Sequence, residues 1–138
     1  MSAAGLAGLS VDAFERGDVD PDAFDHEAHV YVAWLYLERF PLPEALERFD
    51  AALRRLTLKL GVPGKYHATI TWFFLLLISE RRNEQPGADW RRFRRRNADL
   101  LEGGLLERYY HGRTLASGRA RRAFVLPDRL LDEVERAA

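Results

Sequence analysis

A chain of 138 residues with 47% apolar side chains is long enough to fold as one domain around a real core, and it contains no cysteine. Disulfide frameworks, thiolate zinc sites and cysteine nucleophiles are therefore excluded. The formal charge is zero, yet residues 1–50 hold eleven Asp or Glu against three Arg, and residues 51–138 hold eighteen Lys or Arg against ten acids.

The opposite charge of the two halves has two readings. They neutralise each other within one domain, or they meet between two copies in a symmetric homodimer. Met1–Ser10 lacks a basic leader and a long apolar run, and no stretch reaches the roughly 18 apolar residues of a membrane span. The expectation is a soluble cytoplasmic protein without a membrane partner, with residues 1–10 disordered and 11–138 forming a single helical domain.

Taken in chain order, helix signals recur and strand signals do not. Residues 1–19 show no sustained period. Asp20-Pro21-Asp22 offers a cap, a proline at the first helical position and an acid in the first turn, which predicts a helix running to about Phe40. Its second half, Val30 to Leu37, is apolar nearly all round and predicts a central helix. Pro41 and Pro43 break that helix and restart another, in which Leu46, Phe49, Leu53, Leu56 and Leu60 recur every three or four residues until Gly61. After Gly61-Val62-Pro63-Gly64, a third helix is predicted from about Tyr66 to Arg82, with an unbroken apolar run from Trp72 to Ile78.

Beyond Arg82 the pattern fragments. Asp89 can cap a short helix bearing Trp90 and Phe93, Gly103-Gly104 separates it from Leu105–Tyr110, and Pro127-Asp128 permits a last helix with Leu130, Leu131 and Val134 on one side. The whole reads as an all-α, single-domain helical bundle: two central hydrophobic helices, one amphipathic partner and several short C-terminal helices.

Three of the four histidines lie in two aromatic-rich segments. On a helix His26 and His29 are separated by about 60° around the axis, so both can face one ion. Two imidazoles do not complete a protein metal site, so His67 from the neighbouring helix is the expected third ligand, with water or a carboxylate closing the shell. The competing reading makes these histidines structural, hydrogen-bonded to nearby carbonyls or acids. Thr71 lies one turn from His67 on the same face, and Tyr36, seven positions after His29, shares that residue's face. With Lys65 and Tyr66 they form the expected substrate-binding set. His111, after Tyr109-Tyr110, either closes over the site or sits in solvent.

The segments Phe24-Asp25-His26-Glu27-Ala28-His29, Ala33-Trp34-Leu35-Tyr36-Leu37, Gly64-Lys65-Tyr66-His67, Thr69-Ile70-Thr71-Trp72 and Phe124-Val125-Leu126-Pro127-Asp128 resemble a family of small uncharacterised bacterial helical proteins. The likeness spans roughly residues 22–130 and implies a domain of those limits in which the histidine segments matter; it implies no activity. In that family pattern a glutamate follows the histidine of the Lys-Tyr-His motif, where this chain has Ala68.

Trp90-Arg91-Arg92-Phe93-Arg94-Arg95-Arg96 interleaves five arginines with two aromatics, as nucleic-acid binders do, but it also reads as an ordinary amphipathic surface helix in a chain of zero net charge. Nucleic acid is not the expected partner. The functional expectation is a small helical protein with a histidine-lined pocket between helices that binds a divalent metal through His26, His29 and His67, with zinc, iron, manganese and copper not separable. Metal-bound water, or His67 as general base, would act on a small molecule held by Tyr36, Lys65, Tyr66 and Thr71. The alternative is a non-catalytic interaction domain pairing through its acidic and basic halves. Whether the protein is an enzyme stays open at this level.

Overall fold

The computed structural model describes residues 6–129, and its described residues are all-α. Seven α-helices follow one another among them: α1 (Val11–Arg16), α2 (His26–Arg39), α3 (Leu42–Lys59), α4 (Ala68–Glu84), α5 (Trp90–Arg96), α6 (Gly112–Leu115) and α7 (Gly118–Arg122), with short 3₁₀ turns between several of them. None of these helices is long and apolar enough to cross a membrane.

The three long helices form the core because their apolar patterns leave no other arrangement. Helix α2 buries Val30, Val32, Ala33, Trp34, Tyr36 and Leu37, and α4 buries residues on nearly every side from Thr69 to Ser79, so each must be surrounded. Helix α3 instead buries a stripe, Ala45, Phe49, Ala52, Leu53 and Leu56, and leaves its charged face in water. It closes one side of the α2–α4 pair. Each large apolar side chain so buried contributes about 1.5–3 kcal/mol.

Aromatic rings hold the centre. Phe14 stacks on Phe49 with centroids 5.5 Å apart, and Tyr36 meets Phe49 edge-on at 5.4 Å. Phe14 comes from α1, an element absent from the sequence reading: Ser10 caps it by accepting the Ala13 amide at 3.0 Å, and Gly17 ends it in the left-handed conformation. Within residues 1–10, which the sequence reads as disordered, Leu6 is buried and Ser10 is a cap; residues 1–5 lie outside the described residues.

Several boundaries moved, each for a local reason. Asp20 does not open α2. Its carboxylate accepts the Asp22 amide in a turn, and Asp25 caps the helix by accepting from Ala28, which makes His26 the first helical residue. Helix α4 likewise begins at Ala68, after a 3₁₀ turn at Pro63–Lys65, because His67 is its cap. Asp89 caps α5 as read, and Gly61, at φ 74°, follows the end of α3. The proposed last helix through Leu130, Leu131 and Val134 lies outside the described residues.

The C-terminal third covers the other side of α4. Phe93, Leu100, Leu105, Tyr110 and Ala120 are buried there, and two hydrogen bonds pin the chain's return: the Tyr110 hydroxyl donates to the Val125 carbonyl at 2.6 Å, and the Val125 amide donates to Thr69 Oγ1 at 3.1 Å. The two oppositely charged halves also touch. Arg82 pairs with Glu38 at 2.5 Å and Arg94 with Glu27 at 3.0 Å, so part of the asymmetry is neutralised within the molecule.

Candidate functional site

A cavity of about 420 Å³ opens where α2, α3 and α4 meet the 18–25 loop and the Pro63–Lys65 turn. Its walls are mostly apolar: Phe24 from the loop, Leu53, Leu56 and Leu60 from α3, Val62 and Ile70 on the far side. Its polar members are Asp22, His29, Thr57, Lys65, His67 and Thr71. A mainly apolar recess with a few convergent polar groups is the ordinary form of a small-molecule site.

The expected triad is not assembled around this space. His29 and His67 both line the cavity; His26 does not. The His26 ring stands edge-on to Phe74 at 4.9 Å, and its Nε2 is held 2.8 Å from the Leu100 carbonyl. Two residues on one helical face have thus been sent to different partners, because the 98–101 turn packs beside the start of α2 and supplies an acceptor there.

His67 is also committed. Its Nδ1 accepts the Ile70 amide at 3.2 Å as the cap of α4, and its Nε2 lies 2.8 Å from the Leu115 carbonyl. One nitrogen accepts and the other donates, which is the hydrogen-bonding pattern of a neutral imidazole with a single tautomer. The residue expected to be a general base and metal ligand is therefore bound at both nitrogens to backbone. Replacing it by asparagine, His67→Asn, keeps the cap and removes the Leu115 contact; an expected loss of about 1 kcal/mol in urea unfolding tests this structural role.

His29 is different. Its Nε2 is shielded from solvent and has no hydrogen-bond partner among the described residues, while its ring is flanked by Phe49 at 5.3 Å and Phe24 at 6.1 Å. Burial, with a smaller contribution from nearby His26, pushes its pKa down to about 4, so it is neutral at pH 7. Among the described residues no group of three or more His, Asp or Glu is placed to hold a metal ion. As arranged, the donor set does not fit a divalent metal: His26 and His67 would first have to leave their carbonyls.

The expected substrate-binding residues also divide. Lys65 and Thr71 line the cavity. Tyr36 does not: it is fully buried among Phe14, Phe40 and Phe49, its hydroxyl lacks a partner among the described residues, and burial together with the Glu15 carboxylate raises its pKa. Tyr66 turns outward, donates its hydroxyl to Asp50, and lies under the Arg54 guanidinium at 4.2 Å. Asp50 also accepts from Trp72 Nε1 at 3.1 Å and pairs with Arg54 at 2.9 Å. That carboxylate ties the Lys65–His67 turn to α3 and α4; it positions the cavity's rim and does not enter it.

Phe24, Leu56, Thr57 and Val62 were not anticipated as wall residues. The only sequence signal was the end of the α3 stripe, whose last member, Leu60, remains 37% exposed in the fold. Compared with family models, with curated proteins and with solved structures, the chain matches none of them.

Proposed function

We propose that this protein binds a small, largely apolar molecule in the cavity between α2, α3 and α4, with the uncharged His29 and Thr71 in its wall and Lys65 at the rim. The observation that carries this reading is an open, mostly apolar recess of about 420 Å³ whose few polar wall groups include the uncharged His29 imidazole. The metal part of the earlier expectation would need His26 and His67 to exchange their carbonyl partners for the ion, so the reading supported here requires no metal.

Catalysis is not needed to account for the arrangement. His67, the expected base, is held at both ring nitrogens. The test is titration with Nile red, a neutral apolar dye. The parent protein should bind it saturably, and Val62→Trp, which fills the cavity from its loop side, should weaken binding about tenfold with an unchanged melting temperature. Binding that is absent, or unaffected by Val62→Trp, would overturn the proposal.

A further inference from the structure

The ligand's class can be read from where charge lies around the same cavity, an inference that rests on the small-molecule reading above. The interior walls, Phe24, Leu53, Leu56 and Ile70 among them, suit a hydrocarbon body. Lys65 is the sole lysine or arginine lining the space, and it is exposed and forms no ion pair among the described residues. An unneutralised ammonium at the mouth of an apolar recess favours an anionic group there.

Helix α4 adds to that field. Its first turn contains no acid, it runs for 17 residues, and two residues near its start, Ile70 and Thr71, line the cavity. The positive end of its dipole therefore lies on the same side as Lys65, three residues before the helix begins. His67 satisfies the Ile70 amide but brings no compensating negative charge. The single acid of the lining is Asp22, on the exposed turn in the 18–25 loop. It would repel an anion at its own edge and so directs the head group toward Lys65.

We infer that the cavity takes an amphipathic monocarboxylate, its apolar chain between α3 and α4 and its carboxylate at Lys65 beside the start of α4. Calorimetric titration of the full chain with decanoate, decanol and decylamine tests this. Decanoate should bind saturably and at least about fivefold tighter than decylamine, and Lys65→Met should weaken decanoate about fivefold while leaving decanol within about twofold.

If decanol binds as tightly as decanoate and Lys65→Met changes neither, the carboxylate assignment fails while the apolar-ligand reading stands. If decylamine binds tightest, Asp22 sets the class and the inference is overturned. If none of the three binds although Nile red does, the cavity does not accept a chain of this shape and the inference falls without the dye result.

Discussion

Acidification from pH 7 to pH 4 is expected to lower the unfolding free energy by on the order of 3 kcal/mol through His29 alone. The sign follows from the direction of its shift. In the unfolded chain the imidazole titrates near 6.5, whereas burial holds it at about 4 in the fold. Between those values the unfolded state binds the extra proton, so stability is fully present above about pH 6.5 and drains away as pH falls toward 4. The titratable groups facing it are His26, whose charge lowers it further, and His67, Lys65 and Asp22 around the same cavity.

Carboxylates contribute to the same acid loss, because Glu15, held down mainly by Arg48, and Asp99, held down mainly by Arg81, lose their partners on protonation. A variant separates the histidine from them. Urea unfolding of parent and His29→Phe at pH 7, 5.5 and 4 should give curves that diverge only below about pH 6.5, the variant losing less by roughly 2–3 kcal/mol at pH 4. At pH 7 the variant should be about as stable as the parent, since it removes a shielded nitrogen that has no partner among the described residues. Parallel pH profiles for the two proteins would mean that His29 is solvated in the fold.

Thr69→Val should cost about 2–4 kcal/mol, although the two side chains have nearly the same shape. Thr69 is fully buried in the first turn of α4, and its hydroxyl is a junction: it approaches the Ala120 carbonyl at 2.7 Å and the Ala123 carbonyl at 2.9 Å, and accepts the Val125 amide at 3.1 Å. Valine leaves the Val125 amide without that acceptor and the two carbonyls without that donor; the Ala120 contact is buried, and the Ala123 and Val125 contacts are half-buried. Phe124, which stacks on Trp72 at 5.7 Å, sits within the same segment.

The effect should therefore be regional. Amide hydrogen exchange of residues 118–126 should accelerate in Thr69→Val more than that of α2, and Thr69→Ser, which keeps the hydroxyl, should lose about 1 kcal/mol or less. A valine variant within about 0.5 kcal/mol of the parent would show that the hydroxyl does not carry the attachment of this segment.

The parts of the fold legible beforehand were those whose signals are local. The stripe Phe49, Leu53, Leu56 predicts α3 because residues three and four apart share a face, and Gly61 ends it because a left-handed residue is needed there. The start of α2 lies beyond the Asp20 cap that the sequence predicts, because Asp20 turns onto the amide two residues on, whereas the Asp25 carboxylate reaches the amide three residues on. Nothing in the sequence around Thr69 marks its hydroxyl as a junction. Its partners lie more than fifty residues away, where no spacing rule reaches.

The histidines mark the same division most sharply. Composition and period alone determined that the chain is all-α, that α2 and α4 are central, that α3 is amphipathic, and that cysteine chemistry is absent. Which atom each imidazole meets was decided only by tertiary packing. His26 finds Leu100, 74 residues on, His67 finds Leu115, 48 residues on, and His29 finds two phenylalanines and an open cavity. Helical spacing brings side chains to a common face, but a buried nitrogen is claimed by whichever carbonyl the fold delivers within about 3 Å, and that delivery depends on how distant segments pack.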